Sequence, residues 1–196
     1  MNGFLIESFE EKNIVIYNFI SYWFDMPKTN TALVLIGLQE LRRERKSEYY
    51  LRNMEPLIER ALYLLDYARE MGYKVIFIKH LESEWDFSKE SPYSELISDL
   101  DIHEDDVIIE KEKISSFLGT NLEQELEGIE NIVVAGIPTN LCVRMFVEEA
   151  YDRGFNIALI EDACQTYNDN LQDFTLNDLN ESRPDLDILR LEKFID

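Results

Sequence analysis

The sequence predicts an α/β fold of three layers: a six-stranded, mostly parallel sheet flanked by helices. Three observations predict it. Short apolar runs recur along the chain, as strands buried on both faces do. Stretches with helical periodicity stand between most of them, and turn-forming or capping residues mark the boundaries. Strands that alternate with helices at this spacing make βαβ units, and those build parallel sheets.

Residues 1–30 form a lead-in, and a single domain is expected over 31–196. In the lead-in, Ile14-Val15-Ile16-Tyr17 suits a short strand or an arm packed on a neighbour, and no chemistry is assigned to it. The first strand is 31–38, TALVLIGL, ended by Gln39 and Glu40; Arg42-Arg43-Glu44-Arg45-Lys46 reads as a solvated connection. Asn53 is expected to cap a helix that holds Pro56 in its first turn, where proline is tolerated. Leu57, Ala61, Leu64, Leu65, Ala68 and Met71 then recur at helical spacing, a stripe that belongs to core packing, and Gly72 stops it. The second strand, 75–78, ends in Lys79-His80. Residues 81–105 are a polar, acidic excursion with a short helix expected near 93–99, placed to overhang a site.

The third strand is 107–109. Thr120-Asn121-Leu122-Glu123 is a capping box that starts a helix, and Gly128 ends it. The fourth strand, 132–135, is broken by Gly136 and Pro138. Thr139 and Asn140 are expected to cap a helix through Cys142, Met145, Phe146, Glu149 and Ala150, closed by Gly154. A fifth strand at 157–160, a polar helix at 170–181, Pro184 as a breaker and a sixth strand at 186–191 complete the chain.

Composition narrows the function classes. The 196 residues suffice for one domain with a full core. With 19 basic and 40 acidic side chains the formal charge is −21, which argues against nucleic acid and anionic membranes as partners; a small-molecule substrate or ligand is expected instead. No apolar run reaches the ~18 residues of a transmembrane helix. The first residues lack the basic flank and long apolar segment of a signal peptide. Two cysteines offer no disulfide framework, so a cytoplasmic location is expected. His80 and His103 are far apart and outside any ligand spacing; no metal site and no cofactor are expected.

One cysteine stands apart. Cys142 is expected in the first turn of a helix beyond the carboxyl end of a parallel strand, where ligands bind in open α/β sheets. Free N–H groups and the helix dipole there favour a thiolate. The alternative is a small, inert, buried apolar cysteine.

These residues carry a resemblance. Residues 136–146, GIPTNLCVRMF, resemble the G-x-x-T-x-x-C-V turn of the isochorismatase-like cysteine hydrolases, the superfamily of nicotinamidase and N-carbamoylsarcosine amidase. Residues 111–126, KEKISSFLGTNLEQEL, are similar to its K-x-x-x-S-A-F-x-x-T-x-L segment, and 31–40, TALVLIGLQE, to its first strand, A-L-L-V-I-D-x-Q. IEDAC at 160–164 adds weaker support. Trp23-Phe24-Asp25-Met26-Pro27 resembles the lead-in of members that act in siderophore and phenazine pathways.

The resemblance implies homodimers or homotetramers and an Asp–Lys–Cys triad at the carboxyl ends of strands one, three and four. Cys142 matches the nucleophile. Lys111 matches the lysine, although in isolation it is one more solvated charge in a Glu-Lys-Glu-Lys run. The family has a non-proline cis peptide ahead of the nucleophile. Here that bond is Ile137–Pro138, and a cis bond before proline costs far less; it is expected cis, in a turn with Leu141 that aims N–H groups into an oxyanion hole.

The triad's aspartate position is Gly37. Without it the leaving amine lacks its acid, and general acid–base catalysis is worth about 10²–10⁴-fold. His80 and Glu40 are candidates to replace it, each otherwise an ordinary surface residue. Isochorismate hydrolysis uses the aspartate and dispenses with the cysteine, so it is disfavoured. So is nicotinamidase proper, whose metal site uses clustered histidines. Three readings stay open: a cysteine hydrolase of a small amide or related C–N bond, a catalytically inactive binding or assembly protein, and a thiol that takes up an electrophile or oxidant.

Overall fold

Six short strands pair into one sheet, and the central ones are aliphatic and buried on both faces. The structure, a computed structural model, describes residues 30–82 and 87–195; the expectations for the lead-in therefore fall, Asn30 apart, outside the described residues. The strands are β1 Thr31–Ile36, β2 Lys74–His80, β3 Val107–Lys111, β4 Asn131–Gly136, β5 Asn156–Cys164 and β6 Asp187–Leu189. They lie in the order β3-β2-β1-β4-β5-β6, and each neighbouring pair is parallel. The central strands β1 and β4 are buried along their whole length. The helices flanking the sheet are α1 Glu55–Met71, α2 Leu122–Glu125, α3 Arg144–Asp152, α4 Asp169–Ser182 and α5 Leu191–Ile195. Leu57, Ile58, Ala61, Leu64, Leu65 and Ala68 form the buried stripe of α1.

The chain begins at β1, winds outward to β3, then returns across the sheet to β4 on the other flank of β1. Strand order reverses there, so the loops after β1 and β4 diverge and leave a crevice at their carboxyl ends. A glycine lets the strands close up beneath it. Gly136 pairs with Ile36 in the ladder, and a Cβ on Gly136 would stand 2.1 Å from the Ile36 carbonyl oxygen.

Several boundary expectations are corrected. β1 stops at Ile36, because Gly37 turns to φ +68. Asn53 caps nothing; it takes φ 55, and α1 begins at Glu55 without a side-chain cap. No helix forms at 93–99. A 3₁₀ turn spans Pro92–Ser94, and Leu96, Ile97 and Leu100 enter the core, so apolar burial rather than polarity decides the path of this segment. The capping box is incomplete: Thr120 Oγ1 accepts from the Leu122 N–H at 3.2 Å and donates to the Ser116 carbonyl at 2.7 Å, and α2 is only four residues long. The sixth strand is shortened to Asp187–Leu189 and passes into α5.

Candidate active site

Lys111 ends β3 and is 2% exposed. Its Nζ lies 2.7 Å from the Lys113 carbonyl, 3.1 Å from that of Ile114, 3.3 Å from Cys142 Sγ and 3.3 Å from His80 Nδ1. An ammonium has three N–H groups, so four acceptors at this range share it. Burial pushes its pKa below the ordinary value; the sulfur of Cys142 opposes that shift, and the charge of Arg42 adds to it. The loop after β3 is tied to α3 by Ser115, which donates to Glu149 and accepts the N–H groups of Phe117 and Leu118. That tie holds the lysine and cysteine segments together.

Cys142, 9% exposed, follows β4. The Ile137–Pro138 bond is cis. Thr139–Val143 then forms a π-type turn that runs into α3, the kind of irregular turn found at functional sites. The expected helix caps are absent: Thr139 Oγ1 is buried without a hydrogen-bond partner among the described residues, and Asn140 accepts the hydroxyl of Thr166. The Leu141 N–H is held by the Pro138 carbonyl at 3.2 Å, so it serves the turn itself.

His80 and Glu40, the two carried forward as candidate proton donors, part company. The Glu40 carboxylate accepts the Ser98 N–H at 2.8 Å and stands 3.9 Å from Arg43, an engagement with the surface rather than with Cys142. His80 turns inward. Its backbone is clamped by Gln39, which accepts the His80 N–H and donates to the His80 carbonyl, both at 2.8 Å, and donates to the Ser94 carbonyl at 2.7 Å. The ring packs edge-on against Phe87 and meets Glu82 through Nε2 at 2.8 Å. With Lys111 donating to Nδ1, the imidazole proton belongs on Nε2, toward Glu82. Burial pushes the pKa of His80 below the ordinary imidazole value, with Glu82 opposing and Lys111 and Arg42 reinforcing. Carboxylate, imidazole, ammonium and thiol thus stand in one line.

Gly37 is not a simple gap. At φ +68, a Cβ there would lie 2.3 Å from the carbonyl oxygen of Ile137. The space for a side chain is filled by the backbone of the cis turn.

Three residues around the site carry no clear signal in the sequence. Gln39 lies inside a recognised motif without a role of its own, Glu82 stands in a polar stretch, and Arg42 reads as a solvated charge yet is 5% exposed.

The Isochorismatase domain family matches residues 31–184. The chain belongs to this family. A Bacillus subtilis (strain 168) relative, an uncharacterised isochorismatase family protein, is 32% identical over 141 residues, 69% of this chain and 74% of its own length. Nicotinamidase 3 of Arabidopsis thaliana is 29% identical over 142 residues, 64% of this chain and 72% of the relative. Among solved structures, a cysteine hydrolase from Pseudomonas syringae pv. phaseolicola superposes with a TM-score of 0.79 at 18% identity, covering 87% of this chain and 94% of the other. Isochorismatase-family architecture therefore frames the line of four groups. Among the described residues no group of three or more His, Cys, Asp or Glu side chains stands ready to hold a metal ion. His103 is occupied at the surface with Asp101 and Asp106.

Proposed function

We propose that the protein is a cysteine hydrolase of small amides or related C–N bonds, with Cys142 as the nucleophile and Lys111 as its proton carrier. The supporting observation is that one buried ammonium touches both Cys142 Sγ and His80 Nδ1, at 3.3 Å each. The thiolate adds to the carbonyl carbon; the C–N bond then breaks as Lys111 passes a proton to the leaving nitrogen, leaving a thioester. Water attacks the thioester, its proton returns to the Lys111 amine, and the thiolate departs. Burial disfavours the charged lysine, which makes the ammonium a better acid than an exposed one and suits this donation. His80, backed by Glu82, accepts from Lys111 and holds it in line. A relative named as a nicotinamidase supports an amide as the substrate class.

A second reading, a catalytically inactive binding or assembly protein, is favoured by Gly37, where the backbone leaves no room for a carboxylate. Ammonia release from a panel of small primary amides, measured for the wild type and Cys142→Ala, separates the two. Release that Cys142→Ala abolishes supports the hydrolase. An inert wild type whose Cys142 also resists alkylation supports the binding protein, and release that survives the substitution sinks the mechanism.

A further inference from the structure

Arg42 is a buried cation that the proposed reaction does not use. It ends the short 3₁₀ turn Glu40–Arg42 that follows β1, and it is 5% exposed. Its Nη1 donates to two neutral oxygens, the Tyr167 hydroxyl at 3.2 Å and the Tyr49 carbonyl at 3.4 Å. Its Nε has no hydrogen-bond partner among the described residues. Among the described residues no carboxylate pairs with it, although the next residue, Arg43, pairs with both Asp99 and Glu40. Among the described residues of so acidic a chain, that exception needs a reason. Buried charges are ordinarily paired, because an unpaired one carries its full desolvation cost.

Its position supplies the reason. The guanidinium lies 5.4 Å from the centre of the Tyr49 ring and 5.7 Å from that of Phe87. Phe87 is also the ring against which His80 packs, at 4.8 Å. The charge of Arg42 is felt at both His80 and Lys111, where it adds to the effect of burial in disfavouring the protonated forms. Arg42 therefore flanks the line of reacting groups, walled by aromatic rings that weaken the competition of water. A guanidinium fork with free N–H groups matches a carboxylate. The exposed Tyr167, whose hydroxyl now covers Nη1, is the group that an arriving carboxylate displaces.

We propose that Arg42 is a specificity-determining residue that receives a carboxylate of the substrate, so that the preferred substrates are small amides that are also carboxylic acids, such as amido or ureido acids. The inference rests on Cys142 and Lys111 marking the reacting centre, and its test is independent of turnover. In the Cys142→Ala background, binding of malonamate and of its neutral counterpart malonamide is measured by ligand-induced thermal shift. Malonamate is expected to bind about 10- to 100-fold more tightly, the range for a hydrogen-bonded charge pair. Arg42→Met brings the ratio to about one, and Arg42→Lys keeps part of it. No binding of malonamate, equal binding of the two, or a preference that survives Arg42→Met overturns the inference. Should Arg42→Met fail to fold, the parent ratio and Arg42→Lys still decide. Alkylation of native Cys142 by iodoacetate and iodoacetamide separates the two proposals. An inert Cys142 alongside an intact malonamate preference sinks the hydrolase and keeps the anion site. Equal rates with both reagents, unchanged by Arg42→Lys or Arg42→Met, count against Arg42.

Discussion

Cys142 and Cys164 stand at the carboxyl ends of adjacent strands, β4 and β5, and are nearly equally buried, at 9% and 7% exposure. Their surroundings are opposite. Cys142 faces the ammonium of Lys111 at 3.3 Å. Cys164 is buried with Asp162 and Glu161 nearby, and burial, reinforced by those carboxylates and opposed by a backbone hydrogen bond from Gly136, pushes its thiol up to about 12. Burial and a strand-end position are thus common to both. A neighbouring cation is what sets one of them apart as a candidate nucleophile.

The sharpest way to break this comparison is to exchange the two thiols for alanine. Cys142→Ala is expected to lower ammonia release by at least about 10³-fold, as loss of a nucleophile does, while Cys164→Ala stays within about threefold. Comparable losses would erase the distinction. Next comes the cation. Lys111→Met is expected to cost roughly 10²–10⁴-fold in kcat/KM and to slow alkylation of Cys142 toward the rate of Cys164. An unchanged rate would show that the ammonium does not activate the sulfur.

Cys164 offers a pH test. Its folded pKa is raised, so its contribution to stability is fully present below the unfolded value of 9.0 and is lost as pH climbs toward about 12. Three pKa units correspond to at most about 4 kcal/mol. Tyr49, Tyr67 and Tyr73 shift in the same direction, each chiefly through burial, and act in every variant. Denaturant unfolding between pH 9 and 12 should therefore fall less steeply for Cys164→Ala than for the wild type. Identical slopes would show that Cys164 is not the buried thiol described.

The smallest effect concerns position 37. Gly37→Asp looks like a restoration on paper, but the added Cβ meets the Ile137 carbonyl at 2.3 Å on a backbone at φ +68. Overpacking and the left-handed backbone together are expected to cost about 2–4 kcal/mol, read as a lower melting temperature with no gain in activity. A stable, more active Gly37→Asp would mean that the β1–β4 corner yields, and that the acid site was open after all.

The chain's apolar runs carried most of the fold by themselves. β1, β2 and β4 are aliphatic because both faces of a central parallel strand are covered, a demand that acts on composition and so is visible in a single sequence. Caps and helix starts were less legible. Asn53 and Thr139 are good capping residues by type, but the geometry of the preceding turn decides whether the side chain reaches a free N–H, and here neither does.

At the site the division is similar. The resemblance marks Lys111 and Cys142 as candidates and the Ile137–Pro138 bond as cis, and that bond is cis in the structure. Three matters were left to the tertiary structure. Whether position 37 has room for a side chain depends on the approach of β4, 100 residues further along the chain, whose Ile137 carbonyl fills that space. Which of His80 and Glu40 faces Lys111 depends on Gln39, which bonds both backbone groups of His80. Arg42 looks solvated in a run of charges, yet the chain folds it under Tyr49, Phe87 and Tyr167, and no carboxylate among the described residues opposes it. Local sequence determined which side chains were available. Long-range packing decided which have space, which have partners, and which cation was left waiting for one.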